Sequence, residues 1–122
     1  MAKILVVDDS EIARAELVNP LKEAGHDISE AGDGKSALEF LEGTPVEIVI
    51  TDVHMPHMTG IELCEAIRDS DVISHKPPIL VVSTESNPDM KTRGKAAGVK
   101  GWIIKPVDTS KLCQVVDLIL KK

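Results

Sequence analysis

Four short runs of aliphatic and β-branched residues recur along the chain, with helix-like segments between them, and this alternation constrains the fold most strongly. The runs are ILVV at 4–7, EIVI at 47–50, ILVV at 79–82 and WII at 102–104; a weaker, alternating run, DISEA, occupies 27–31. Continuous apolar character is typical of parallel strands that are buried on both faces. The segments between the runs are long enough to form the helical crossovers that parallel strands require.

The helical segments carry recognisable start signals. Thr59-Gly60-Ile61-Glu62 has the pattern of a capping box, and Asn87-Pro88 places proline at the first helical position. N-caps are therefore expected at Ser10, Asp33 and Thr59, and the last two helices are expected to begin near Asn87-Pro88 and from Asp108. The order is βα repeated five times, which predicts an α/β fold with a doubly wound five-stranded parallel sheet in one domain, 1–122.

Composition excludes several classes of protein. The formal charge of −6 and the presence of only two aromatic residues, Phe40 and Trp102, argue against a nucleic-acid partner. The first apolar run is too short for a signal peptide or a membrane span, so we expect a cytoplasmic protein with no membrane contact. Cys64 and Cys113 form no CxxC pair and are expected to be ordinary thiols in a reducing compartment.

Polar side chains follow the apolar runs at the points where the strands should end. Asp8 and Asp9 follow the first run, Asp52 comes just after the second, Ser83 follows the third and Lys105 follows the last. The carboxyl ends of parallel strands lie along one edge of a sheet, and ligands bind outside that edge. We therefore expect three carboxylates, a hydroxyl and an ammonium group to converge there.

Each of these residues has an ordinary explanation when taken singly, such as a helix cap, a turn residue or a solvated charge. Three clustered carboxylates, however, repel one another unless a cation joins them. An oxygen-only cluster with room for water suits Mg²⁺ better than zinc. With a lysine and a hydroxyl beside it, the cluster is typical of a phosphoryl site, in which a carboxylate can itself be the nucleophile.

The motifs VVDDS, TDVHMPHMTG, ILVVSTES and GWIIKP, in this order and spacing, resemble those of the receiver domain of two-component response regulators. The resemblance covers nearly the whole chain and is greatest to the stand-alone, CheY-like receivers of chemotaxis. It implies a flavodoxin-like (βα)5 fold with strand order 2-1-3-4-5. It also implies a monomer that signals by contact and, beyond self-phosphorylation and autodephosphorylation, catalyses no reaction.

The resemblance assigns chemical roles to the residues at the sheet edge. Asp52 matches the phosphoacceptor, which takes its phosphoryl group from a histidine kinase of the CheA type or from a small phosphodonor. Asp8 and Asp9 match the acidic pair that holds Mg²⁺ together with Asp52, and the family adds a backbone carbonyl that here belongs to His54. Lys105 matches the lysine that pairs with the phosphoryl group.

Further residues match the family's switch. Ser83 matches the hydroxyl residue that binds a phosphoryl oxygen, and Trp102 occupies the position of an aromatic residue, usually Tyr or Phe, that turns inward on activation. Pro106 is expected to follow a cis peptide bond, and His54 and Glu85 flank the site and could tune the phosphoryl lifetime. The output target is expected to dock on the fourth helix, fifth strand and fifth helix.

Other interpretations remain. A phosphorelay or phosphate-sink receiver and an unphosphorylated adaptor would carry the same motifs. A more remote alternative is a P-loop-like nucleotide-binding enzyme, since Gly34-Lys35-Ser36 imitates the tail of a P-loop. Ser29 stands where that loop needs its first glycine, and the stretch follows the weakest strand, so we interpret it as a turn and a helix cap.

Overall fold

A computed structural model describes residues 2–121; Met1 and Lys122, the ends of the predicted domain 1–122, lie outside the described residues. Strands and helices alternate through the described range, five of each. The strands are β1 Lys3–Val7, β2 Asp27–Ala31, β3 Ile48–Thr51, β4 Ile79–Ser83 and β5 Val99–Ile104, and the helices are α1 Glu11–Glu23, α2 Gly34–Gly43, α3 Gly60–Asp69, α4 Pro88–Ala96 and α5 Thr109–Leu120.

The strands form one parallel sheet in the order β2-β1-β3-β4-β5. This confirms the predicted fold class and the strand order that the family resemblance implied. β1, β3 and β4 are central, and from Ile4 to Val7 every residue of β1 is buried. Because the chain reverses its direction of winding at β1, the ends of β1 and β3 flank the crevice where ligands bind in folds of this kind.

Helices cover both faces of the sheet, so each central strand contributes alternate side chains to two separate cores. On one face, Ile4 and Val6 of β1 pack with residues of α1 and α5. On the other face, Leu5 and Val7 pack with residues of α2 and α3. No helix in residues 2–121 is both long enough and apolar enough to cross a lipid bilayer.

The predicted N-caps at Ser10, Asp33 and Thr59 are confirmed by hydrogen bonds from helix N–H groups to their side chains. Asn87 and Asp108, at the predicted starts of the last two helices, also act as N-caps. The predicted start of the last strand is wrong, because β5 begins at Val99 rather than Trp102. Lys100 and Gly101 interrupt its apolar pattern, and the pairing with β4 shifts register where these residues pass Ile79 and Leu80. An edge strand tolerates such a break because only one side of it is paired.

Candidate functional site

Two buried aspartates and one lysine meet at the carboxyl edge of the sheet. Asp8 and Asp52 directly follow Val7 and Thr51, which are paired in the β1–β3 register. Lys105, after β5, donates from Nζ to Asp8 Oδ2 at 3.1 Å and to Asp52 Oδ2 at 2.9 Å. The side chain of Asp8 is only 2% exposed and that of Asp52 is 11% exposed, so one ammonium group bridges two largely buried carboxylates.

The carboxylate of Asp52 is fixed in orientation and held in its ionised form. Its Oδ1 accepts the backbone N–H groups of Val53 at 2.6 Å and His54 at 3.2 Å. Burial acts to raise the pKa of Asp52, but the hydrogen bonds of Lys105, Ser83 and His54 and the charge of Lys105 outweigh it. The pKa therefore lies below the ordinary value of 3.8, and the carboxylate is available as a nucleophile at neutral pH.

Lys105 keeps its proton in this setting. Burial acts to lower the pKa of its ammonium group, but the hydrogen bonds and charges of Asp52 and Asp8 outweigh burial and raise the pKa above the ordinary value of 10.5. The site therefore carries a positive charge beside the Asp52 carboxylate.

These two shifts give a pH prediction for stability in metal-free buffer. The pKa of Asp52 is lower in the folded state, so its contribution to stability is present above 3.8 and is lost as the pH falls through the folded pKa. The pKa of Lys105 is higher in the folded state, so its contribution is present below 10.5 and is lost as the pH rises further. In urea unfolding at several pH values, the free energy of unfolding should fall less steeply toward acid pH for Asp52→Asn than for wild type. The same pH dependence in both proteins would contradict the prediction.

Ser83 and Glu85 connect the site to the indole ring of Trp102. Ser83 is fully buried, and its hydroxyl oxygen accepts the backbone N–H of Glu85 at 3.1 Å. The backbone carbonyl of Glu85 accepts Nε1–H of Trp102 at 2.8 Å. Glu85 Oε1 also lies 3.2 Å from Nε2 of His54, across the mouth of the site. The loop after β4 therefore contacts the site through Ser83 and His54, and contacts β5 through Trp102.

The remaining predicted residues take different positions. Asp9 follows Asp8 but is exposed at the surface, because successive side chains leave the end of a strand in opposite directions. Within residues 2–121, no three His, Cys, Asp or Glu side chains are grouped closely enough to hold a metal ion. The peptide bond between Lys105 and Pro106 is cis.

The donor set of the site nonetheless suits a hard dication. Asp8 and Asp52, with the adjacent Asp9, carry three negative charges against the single positive charge of Lys105. All the candidate ligands are oxygens, and the excess charge matches that of Mg²⁺. The Asp8 and Asp52 carboxylates are already held within reach of one cation, the Lys105 ammonium group, so the residues fit this metal.

Two residues important to this geometry are missing from the sequence predictions. Arg14 donates to the backbone carbonyl of Asp8 at 2.7 Å, and Gly60 lies directly against the backbone of Asp52. A charged residue one turn into the first helix and a glycine inside the capping box were the available signals. Neither indicates its partner, because both contacts are to backbone atoms of another segment.

The stretch that imitates a P-loop has another role. The carboxylate of Asp33 accepts the N–H of Ser36 at 2.7 Å, which uses a donor that a bound phosphate would need. Gly34 is buried against Met58, and a Cβ at this position would lie 2.5 Å from the Met58 sulfur. The interpretation as a helix cap is confirmed, and the glycine allows the loop after β3 to pack closely on α2.

Comparison with known proteins agrees with this geometry. The family model described as the response regulator receiver domain matches residues 4–117. The chain is 35% identical to the chemotaxis protein CheY of Pseudomonas aeruginosa, over 98% of this chain and 97% of that protein. It is 35% identical to chemotaxis protein CheY-3 of Vibrio cholerae, over 98% and 92%. The crystal structure of V. cholerae CheY4 superposes with a TM-score of 0.89 at 37% identity, covering 98% of each chain.

Proposed function

The chain belongs to the response regulator receiver domain family, and we propose that it is a phosphoacceptor switch in which Asp52 receives a phosphoryl group from a histidine kinase. The observation that carries the proposal is the ion cluster at the sheet edge, where Lys105 joins the carboxylates of Asp52 and Asp8. The protein acts as a cytoplasmic monomer that docks first on a kinase of the CheA type and then on a target protein.

In the transfer step, an Asp52 carboxylate oxygen attacks the phosphorus of the kinase phosphohistidine. The new O–P bond forms as the N–P bond breaks, and the imidazole leaves with the electron pair and takes up a proton. The backbone N–H groups of Val53 and His54 hold the attacking carboxylate in one orientation. The ammonium group of Lys105, already 2.9 Å from Asp52, neutralises charge on the transferred group.

Residues of the site would also bind a metal ion and influence dephosphorylation. Asp8, Asp9 and Asp52 would hold Mg²⁺ with the backbone carbonyl of His54, and the metal would supply further neutralisation of the phosphoryl oxygens. His54 and Glu85, at the mouth of the site, are placed to influence how water reaches the acyl phosphate and hence the rate of autodephosphorylation.

The proposed output depends on the loop that follows β4, because this loop contacts both Ser83 and Trp102. The Ser83 oxygen accepts the N–H of Glu85, and its O–H, which donates toward the Asp52 carboxylate, can instead donate to a phosphoryl oxygen carried by that residue. A shift of this loop moves the carbonyl that binds the Trp102 indole. Trp102 in turn packs against Gly94, the one buried residue of α4. We therefore assign the α4–β5–α5 surface to target binding, through a shift between two populated arrangements.

The proposal is tested by intact-mass spectrometry after incubation with acetyl phosphate, with and without Mg²⁺. One phosphoryl adduct that requires Mg²⁺ supports a phosphoacceptor, whether a contact switch or a phosphate sink. Absence of an adduct from folded wild-type protein, with Mg²⁺ present, overturns the proposal in favour of an unphosphorylated adaptor.

The link between phosphorylation and output is tested with Ser83→Ala. We expect the adduct on Asp52 still to form, because the nucleophile and Lys105 are unchanged, while most of the fluorescence change on phosphorylation is lost. Trp102 is the only tryptophan in the chain, so the signal has one source. Ser86→Ala, at an exposed position of the same loop, is the matched control and should respond as wild type does. A full fluorescence response in Ser83→Ala would show that this hydroxyl is not the link.

A further inference from the structure

Arg14 joins three segments of the chain behind the acidic turn. From α1, its Nε donates to Glu30 Oε1 of β2 at 2.9 Å, and its Nη1 donates to the backbone carbonyl of Asp8 at 2.7 Å. The Arg14 side chain is only 16% exposed. The planar guanidinium can serve both acceptors at once because its N–H groups point in fixed, divergent directions.

The acceptor on Asp8 is the carbonyl of the peptide that leads into Asp9. The N–H of Asp8 is bound by the carbonyl of Ala31 at 3.2 Å, so the backbone of Asp8 is held from both sides. Its Oδ1 accepts the N–H of Ser10 at 3.0 Å and its Oδ2 accepts Lys105. Since a peptide unit is planar, fixing the Asp8 carbonyl also fixes the direction in which Asp9 leaves the turn.

We propose that Arg14 is a positioning residue for the acidic turn, which it holds in the arrangement that binds Mg²⁺. Glu30 keeps the guanidinium in the orientation that reaches the Asp8 carbonyl. The inference rests on the proposed function for its use of Mg²⁺, but it concerns metal binding and not the phosphoryl transfer itself.

The direction in which Mg²⁺ affinity changes when Arg14 is removed distinguishes a positioning role from a purely electrostatic one. Arg14 carries a positive charge close to the acidic turn, so by Coulomb's law alone its removal would strengthen the binding of a dication. If Arg14 instead acts by positioning, its removal loosens the turn and weakens binding. Groups that orient metal ligands in this way typically contribute about tenfold or more in metal affinity.

The test compares Arg14→Met and Arg14→Lys with wild type by titration calorimetry with MgCl₂. We expect Mg²⁺ to bind about tenfold more weakly to Arg14→Met, since the side-chain length is kept but both hydrogen bonds are lost. Arg14→Lys keeps the charge but cannot reproduce the two-acceptor geometry, so its affinity should be intermediate. In metal-free protein, NMR should show faster hydrogen exchange at the Ser10 amide of both variants.

Arg68→Met is the matched control. Arg68 also pairs with a carboxylate, Asp69, and donates to a backbone carbonyl, that of Ala96 at 3.4 Å, but it lies at the far end of α3 from the site. A variant that loses the same two kinds of contact at this more exposed position should bind Mg²⁺ as wild type does. Equal weakening in Arg68→Met would show a general loss of stability and overturn the positioning role.

The remaining outcomes are distinct. Unchanged or tighter Mg²⁺ binding by Arg14→Met overturns the inference. If that variant does not fold, Arg14→Lys decides: weaker binding than wild type supports positioning, and equal binding overturns it. Wild-type protein that binds Mg²⁺ without being phosphorylated overturns the proposed function and leaves the Arg14 inference standing, whereas wild-type protein that is phosphorylated but binds no Mg²⁺ overturns the Arg14 inference and leaves the phosphoacceptor role standing.

Discussion

Asp52→Asn is expected to accept no phosphoryl group from acetyl phosphate, with or without Mg²⁺, in the intact-mass experiment. The amide that replaces the carboxylate has no anionic oxygen, so it is a far weaker nucleophile and cannot form the acyl phosphate. The expected effect is complete loss of the adduct rather than a reduced rate, because Asp52 is the carboxylate that Lys105 and two backbone N–H groups orient together.

The matched control is Asp71→Asn, which makes the same chemical change at an exposed position. It should be phosphorylated as wild type is. An adduct that persists in Asp52→Asn would place the phosphoryl group on another residue; Asp8, the other carboxylate bound by Lys105, would then be the first to test. Circular dichroism of the variant should match that of wild type, so loss of the adduct reports chemistry and not unfolding.

Gly60→Ala should produce the largest loss of stability among single substitutions at the site. A Cβ at this position would lie 1.9 Å from the carbonyl oxygen of Asp52 and 3.0 Å from Cα of Val53. Both are backbone atoms, so α3 or the end of β3 must move to relieve the overlap. The Gly60 N–H, which donates to the Val53 carbonyl at 2.8 Å, holds the two segments together. We expect a loss of about 3 kcal/mol in the free energy of unfolding.

Two other glycines provide a graded comparison by urea denaturation. At Gly34 the overlap is with the side chain of Met58, which can swing away, so Gly34→Ala should cost less than Gly60→Ala. At Gly43 nothing lies within 4 Å of the added Cβ, and alanine there should be neutral or slightly stabilising. A wild-type stability for Gly60→Ala would contradict the close approach of α3 to Asp52.

The same displacement should also impair phosphorylation of any Gly60→Ala that folds. The first turn of α3 lies directly against the backbone of Asp52. The Asp52 carboxylate is oriented by a hydrogen bond from the backbone N–H of the next residue. A shift of a few tenths of an ångström at the backbone is enough to lengthen these hydrogen bonds. Phosphorylation by acetyl phosphate at saturating Mg²⁺ should therefore be slower than in Gly34→Ala of the same concentration.

The sequence by itself determined the fold class, the starts of the helices and the chemical groups that follow the strands. These depend on short-range features: continuous apolar runs mark buried parallel strands, and a cap lies within a few residues of the N–H groups it binds. Because parallel strands all end at one edge, reading the residues that follow each run was enough to name Asp8, Asp9, Asp52, Ser83 and Lys105 together. The expected convergence holds for Asp8, Asp52 and Lys105, whereas Asp9 is exposed. The strand order came from the family resemblance.

Only the tertiary structure decided how these groups are held. The contact of Arg14 with the Asp8 carbonyl, the approach of Gly60 to the Asp52 backbone and the bond from Trp102 to Glu85 each join segments that the sequence leaves apart. Their partners are backbone atoms, which are chemically alike at every residue and leave no mark in the sequence. Which of them meet is decided by how the helices and strands pack, because such close contacts form only when the whole arrangement is in place.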